Sequence, residues 1–392
     1  MTYKHTLAAS YLGYITQAIV NNLGPLLFLT FQRQFGITLA QLAVLISLNF
    51  TIQLLVDLLA VRYVDKIGYR AAAIAASVFA SAGLFLMGFL PFVLSQPYTA
   101  LVIAAVVNAI GGGLLEVIIS PIVEALPNEN KSSAMSLLHS FYCWGYVAVI
   151  LLSTLYFNTI GIKNWRFLPM LWALLPLGNI FLFSCVPLKT LIDKNETAEP
   201  LRAIFTKKSF LVIVLVMICS GASEQAMSQW ASYFAELGLE VSKTMGDLLG
   251  PCAFAVLMGL TRTFFGVKQK AINLPAVMTA SGILCLVSYL IAVFSPYPLL
   301  ALFGCALCGL SVGIMWPGTF SIASKLFPRG GTAMFALLAM AGDAGCASGP
   351  ALVGFVMNGA ALKTGLFTAI VFPLLFVLGV LLLRRTKTDG RT

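Results

Sequence analysis

Three acids stand where an acid is costly. Glu116, Glu224 and Asp343 each lie near the middle of a long apolar run. A carboxylate at bilayer depth costs on the order of 2.5–3.5 kcal/mol on insertion scales. Such a residue is kept where it faces a protein interior or a water-filled path. There it can accept hydrogen bonds from a polar solute. It can also hold a proton in one state and release it when water or a cation arrives.

The neighbours of these acids extend the pattern. Asn108, Gly112, Glu116 and Ser120 recur every four residues, so they share one helical face. That face reads as a polar, glycine-relieved stripe lining a cavity. Ser220, Glu224 and Ser228 repeat the spacing, with Gln225 alongside and Trp230 a turn and a half on. Asp343 sits among Gly342, Gly345 and Gly349-Pro350, a composition for close packing or a helix break. Gln17, Asn21 and Asn22 precede Gly24-Pro25, Asn49, Gln53 and Asp57 are again four apart, and His139, Tyr142 and Tyr146 share one side of another run. Together these groups could surround a polar solute in a central cavity, with Glu116, Glu224 and Asp343 carrying protons. Trp230 and Tyr142 would stack on a ring. The alternative is that the same groups tie helices together by interhelical hydrogen bonds, and Asp57 could simply pair with Arg62. The sequence leaves both open.

Other chemistry is excluded. No nucleophile–base constellation appears, and no enzyme is expected. Gly111-Gly112-Gly113 lacks the following Lys-Ser/Thr of a phosphate loop and lies inside an apolar run, so close helix approach is the expected role. Cys305 and Cys308 form C-A-L-C without partner histidines and read as small core residues. No metal and no cofactor is expected.

The elements that must position these residues follow from composition. Of 392 residues, 59% are hydrophobic and only 10% charged, and mean hydropathy is +0.95. That balance belongs to an all-α polytopic membrane protein and not to a soluble core. Twelve spans are expected, at about 6–31, 40–63, 70–93, 100–126, 134–160, 167–187, 209–237, 244–266, 272–294, 298–327, 331–358 and 362–384. A helix needs roughly 20 residues to cross a bilayer, and each run supplies them. The longest polar loop, 188–208, divides the chain into an N-terminal six-helix half (1–187) and a C-terminal half (209–392).

The net charge of +10 does not mark a nucleic-acid partner, because the basic residues fall between the hydrophobic runs. Only Arg33, Lys163, Arg166, Lys243 and Lys363 lie on one side; the other 19 of the 24 lie on the side of both termini. By the positive-inside rule both ends are cytoplasmic, and a multi-pass protein of the plasma membrane is expected. A near-constant offset relates the halves. Arg62 meets Arg262, Arg70 meets Lys270 and Gly145 meets Gly345 at 200, and Gly112 meets Gly313 at 201. Repeats of this kind put a transporter's site at the interface of the halves.

Between spans two and three the chain reads Val61-Arg-Tyr-Val-Asp65-Lys66-Ile-Gly68-Tyr-Arg70. This resembles the major facilitator superfamily signature G-x-L-A-D-R-x-G-R-K at Asp65, Lys66, Gly68 and Arg70, with Val61 in place of the leading glycine. The resemblance implies two pseudo-symmetric six-helix bundles and a cytoplasmic-side gate at those four residues. Three stretches are similar to the branch of fucose–, glucose– and galactose–proton symporters. They are Gly112-Gly-Leu-Leu-Glu116 followed by Pro121, Leu137-Leu-His139-Ser-Phe-Tyr followed by Gly145, and Gly221-Ala-Ser-Glu224 followed by Trp230. Asn21-Asn22 stands where that branch often carries a helix-1 aspartate. The resemblance implies a secondary transporter of a sugar-like solute, coupled to a proton or another cation, with Glu116 linked to both. Proton-driven efflux of amphipathic cations is the alternative on the same fold. The fold needs no second copy to form its pathway, so a monomer is expected.

Overall fold

In the computed structural model, regular structure among the described residues is entirely helical. The structure describes residues 1–127, 131–188, 206–268, 273–327, 331–357 and 362–389; within these, the side chains of 61, 62, 65, 131–136, 267, 268, 331–333, 335, 336 and 385–389 lie outside the description. Most of the linker expected at 188–208 lies outside the described residues. So do the Asp65 and Arg62 side chains.

Twelve helices are named here in chain order. They are α1 (Tyr3–Phe35), α3 (Tyr69–Phe92), α4 (Pro97–Glu124), α6 (Phe167–Cys185), α7 (Lys208–Gly238), α8 (Lys243–Gly266), α9 (Leu274–Phe294), α10 (Pro298–Leu326) and α12 (Leu362–Arg384), with α2 (Leu39–Ile67), α5 (Lys131–Thr159) and α11 (Gly331–Met357). Eleven of these positions carry a helix long and apolar enough to cross a membrane. The remaining one, α11, is a continuous 27-residue helix. Large apolar side chains lie bare on the outer faces, among them Phe181 (71% exposed) and Phe294 (63%). A soluble monomer rarely leaves so much apolar surface uncovered, whereas lipid covers it at no cost.

The helices gather into two compact units. The first comprises Met1–Ile192 with Ser242–Leu248, the second Asp193–Val241 with Leu249–Thr392. Within the first, α1 packs on α4, α5 and α6, α2 on α4, and α3 on α4 and α6. Within the second, α7 packs on α10, α11 and α12, α8 on α10, and α9 on α10 and α12. Adding six to each helix number turns one list into the other. The glycines of the sequence repeat sit at matching crossings. Gly145 of α5 meets α1, where an added Cβ would lie 2.9 Å from Ile15 Cα. Its counterpart Gly345 of α11 meets α7 at the Ile218 carbonyl oxygen. Gly112 and Gly113 of α4 press on Gln53 of α2, and Gly313 of α10 presses on Met258 and Thr261 of α8. The repeat is therefore a repeat of helix crossings, where the missing Cβ lets two backbones approach.

Two helices are interrupted at matching places. α1 changes at Gly24–Leu27 to a tighter 3₁₀ turn, with Pro25 at its start. Proline supplies no N–H to the α-helical ladder. α7 turns at Gln229–Trp230 and ends in a π-helical turn, Phe234–Gly238. In each case amide side chains stand at the break, Asn21 and Asn22 in the last turn of the first and Gln225 with the capping Gln229 in the second. Interrupted helices of this kind expose backbone groups where a cavity is lined.

Candidate functional site

The first unit carries an amide–phenol–carboxylate cluster. Gln17 Nε2 donates to Glu116 Oε2 at 2.6 Å, joining α1 to α4. One turn up α1, the Asn21 side-chain oxygen accepts from Gln53 Nε2 (2.8 Å) and Asn49 Nδ2 (3.1 Å) of α2. Asn22 Nδ2 donates to the Tyr142 hydroxyl of α5 at 3.3 Å, and Asn21 Nδ2 reaches the same oxygen at 3.5 Å. Gln17, Asn21, Asn22 and Gln53 are buried, whereas Glu116 and Tyr142 are only half-buried. The half-exposed pair are the groups that a solute could touch directly.

The stripe on α4 has a partner. Asn108 Nδ2 donates to the Val20 carbonyl at 3.4 Å. Gly112 faces Val20, Glu116 meets Gln17, and the Ser120 hydroxyl pairs with the Tyr14 hydroxyl at 3.0 Å. Gly112, Glu116 and Ser120, four apart along α4, thus meet Val20, Gln17 and Tyr14, three apart along α1, and Asn108 shares Val20 with Gly112. The stripe meets α1 along its length, with Asn108 and Gly112 buried against it and Glu116 and Ser120 half-buried. Small and polar residues four apart make both a cavity wall and a close crossing. His139 is exposed and stands edge-on to Tyr14, with ring centroids 5.3 Å apart, about a turn from Tyr142.

The second unit holds an ion pair. Arg262 Nη2 of α8 lies 2.9 Å from Glu224 Oε2 of α7, and both side chains are largely buried. Gln225 Nε2 approaches Glu224 Oε1 at 3.4 Å, and Gln225 Oε1 accepts from Gln229 Nε2 (3.0 Å) and Ser228 Oγ (3.2 Å). The Tyr289 hydroxyl of α9 donates to the Ser223 carbonyl at 2.8 Å, which fixes this turn of α7 from behind. Asp343 is buried on α11, the helix that packs along α7. Beside it the Trp316 indole of α10 lies against Gly342, where a Cβ would overlap the ring.

Trp230 departs from expectation. Its indole is fully buried, its Nε1 donates to the Pro350 carbonyl at 3.0 Å, and its ring meets Tyr233 edge-on. Its polar tip is consumed in holding the end of the α7 helix against the Gly349-Pro350 segment of α11. Arg262 departs in the other direction. The loop charge count assigned it to the end of its span, but it lies four residues inside the 244–266 run, and that position was the available signal. Gln229 could have been found from its spacing of four from Gln225. Nothing local to Trp316 marks it.

The gate signature divides. Gly68 adopts φ 88°, ψ 144°, which breaks the chain between α2 and α3. Arg70 donates through its guanidinium to the carbonyls of Phe183 (2.6 Å), Ser184 (2.7 Å) and Val186 (2.8 Å). It therefore caps the end of α6 inside the first unit, where carbonyls have no helical donor. Lys66 is exposed, with its ammonium 6.0 Å from the Tyr63 ring centroid.

Comparison with known proteins agrees with this architecture. No curated sequence matches the chain. Among solved structures it is similar to the fucose:proton symporter FucP of E. coli, at 16% identity and a TM-score of 0.67, covering 98% of this chain and 99% of that one. It is similar also to a bacterial homologue of the human lysosomal transporter Spinster, at 14% identity and a TM-score of 0.78, covering 100% and 98%. A D-xylose–proton symporter matches at 13% identity and a TM-score of 0.77, over 98% and 97%. At such identities the likeness is one of fold. The family model for the Major Facilitator Superfamily matches residues 9–350. With twelve helices in two equivalent units and a polar cluster within each, the chain belongs to the Major Facilitator Superfamily and is a multi-pass membrane transporter, not an enzyme.

Proposed function

We propose that this transporter takes up a small neutral polar solute, a sugar or similar polyol, together with protons, by alternating access between its two six-helix halves. The contact between Gln17 and Glu116 inside the amide–phenol cluster carries the reading. Amides and phenols both donate and accept hydrogen bonds, as sugar hydroxyls do, and a carboxylate adds a strong acceptor. Glu116 and Tyr142 would engage the solute directly, with Gln17, Asn21 and Asn22 holding them in place from α1. The symporter relatives, named for fucose and D-xylose, support a sugar as cargo.

Glu116, Glu224 and Asp343 are the proton-linked acids of this reading. Arg262 belongs with them, because the Glu224 charge is matched by its guanidinium. Protonation of Glu224 would weaken that pair and so favour whichever state separates the two groups. Asp65, Lys66 and Gly68 form the cytoplasmic-side gate, and Arg70 holds the α6 end against which that gate works. The protein resides in the plasma membrane with both termini in the cytoplasm and acts as a monomer.

Purified protein in liposomes, given an inward proton gradient, should accumulate one of a panel of labelled hexoses and pentoses, and a protonophore should abolish the accumulation. Failure with every sugar, combined with gradient-driven extrusion of lipophilic cations, would replace import with efflux.

A further inference from the structure

The first turn of α8 is clasped by the first unit. Ser242–Leu248 belongs to that unit, although the chain before it, Asp193–Val241, and after it, Leu249–Thr392, belongs to the second. Lys243 Nζ donates to the Leu26 carbonyl, in the 3₁₀ turn of α1, at 2.8 Å. The same ammonium lies 3.1 Å from Asp247 Oδ2 and 5.3 Å from the ring centroid of Phe157, near the end of α5. Asp247 is fully buried, so Lys243 joins a buried carboxylate to a backbone carbonyl of another helix. One residue along α5, Asn158 Oδ1 accepts from the Thr244 hydroxyl at 2.8 Å. Ser242 caps the turn by accepting from the Met245 amide at 3.4 Å.

The backbone is irregular on both sides of this segment. Before it, Glu240 takes φ 54°, in the left-handed region that residues other than glycine rarely enter. After it, Leu248–Cys252 is a π-helical turn that contains Gly250 and Pro251. Pro251 gives no N–H to the helical ladder. The change of unit, between Leu248 and Leu249, falls inside that turn. Hinges are a few element-terminal residues of this kind that absorb backbone rotation. The grip itself is polar, since Met245, the large apolar side chain of Lys243–Asp247, is 43% exposed. Water can replace each polar contact at a modest net cost, so such a grip can be released. We propose that Ser242–Leu248 is a latch. It unclasps from Leu26, Phe157 and Asn158 and clasps again as the transporter changes state, swinging on the Leu248–Cys252 turn. The latch rests on the alternating-access reading and not on the identity of the cargo.

The test is a distance measurement by pulsed electron paramagnetic resonance on the full-length protein in lipid nanodiscs. Spin labels go on Q96C and M245C, both exposed positions of the first unit. C185S removes the exposed native cysteine, and the other seven are buried. A latch gives two distances, one clasped and one released. N158A, which removes one hydrogen bond of the grip, should raise the ratio of released to clasped about fivefold. K243Q should raise it further. K163Q, an exposed lysine of the α5–α6 connection, should leave it unchanged. A single distance shared by the parent protein, N158A and K243Q would overturn the latch and make the segment a fixed part of the first unit. An equal shift in K163Q would overturn the assignment to Lys243 and Asn158. Should K243Q fail to fold, N158A decides, and K243R, which keeps the charge, must stay nearer the parent ratio than N158A does. These distances do not depend on any cargo. Failure of every sugar in the uptake panel leaves them unaltered, and a single fixed distance leaves the sugar reading standing.

Discussion

The buried Glu224–Arg262 pair is the feature whose energetics are most one-sided. Removing one partner of a buried ion pair leaves a charge with no compensation, at a cost of about 3–5 kcal/mol, whereas removing both can be nearly neutral. Arg262→Ala should therefore lower the melting temperature strongly, and Glu224→Gln/Arg262→Gln should recover most of the loss. A double variant as unstable as Arg262→Ala would mean that the arginine acts through packing alone. Glu116 has a different outlook, being half-buried and met by a neutral amide. Glu116→Gln preserves shape and should fold and express normally. It should abolish accumulation against a gradient while equilibrium exchange of labelled solute persists. Wild-type accumulation by that variant would remove Glu116 from the coupling step.

At the scale of helices, the crossings that repeat between the halves differ in tolerance. A methyl group at Gly345 would run into the Ile218 carbonyl oxygen, a backbone atom held in the α7 ladder. At Gly145 the nearest atom is Ile15 Cα at 2.9 Å. At Gly178 of α6 nothing lies within 4 Å. Overpacking a tight crossing costs roughly 1–3 kcal/mol, whereas alanine in an open helical position gains up to about 1 kcal/mol over glycine. The expected order of melting temperature is Gly178→Ala above wild type, then Gly145→Ala, then Gly345→Ala. Equal stability for the last two would show that α11 shifts freely on α7. Arg70 belongs to this scale as well: it fastens three terminal carbonyls of α6. Part of any defect on its removal is therefore structural and should be read by melting before it is read as gating.

For the whole molecule, the proposal of alternating access separates binding from turnover. Asp65→Asn should leave solute affinity near wild type, because Asp65 lies on the loop side of α2, remote in sequence from the α1–α4 cluster. Net uptake should slow by about tenfold, the equivalent of roughly 1.4 kcal/mol on a rate-limiting step. Affinity measured by ligand-induced stabilisation, set beside uptake rate in liposomes, distinguishes the two. A fall in affinity at unchanged turnover would remove Asp65 from the gate.

Sequence by itself determined the all-helical, multi-pass class of the chain and its family. Apolar run length, loop position and the Asp65–Arg70 signature are local properties, and the bilayer enforces them without reference to packing. It also picked out Glu116, Glu224 and Asp343, because an acid in an apolar run is conspicuous on cost alone. Only the tertiary structure decided what each polar residue meets. The spacing of Asn108, Gly112, Glu116 and Ser120 was legible, but whether that face sees water or α1 depends on where α1 lies, and the answer is mostly α1. Trp230 and Arg262 exchanged roles for the same reason. The indole that suited a sugar is spent on the Pro350 carbonyl, and the arginine counted among loop charges neutralises Glu224. Period and hydropathy say which face of a helix is polar; the neighbouring helix that satisfies it comes from distant sequence, and only packing brings it there.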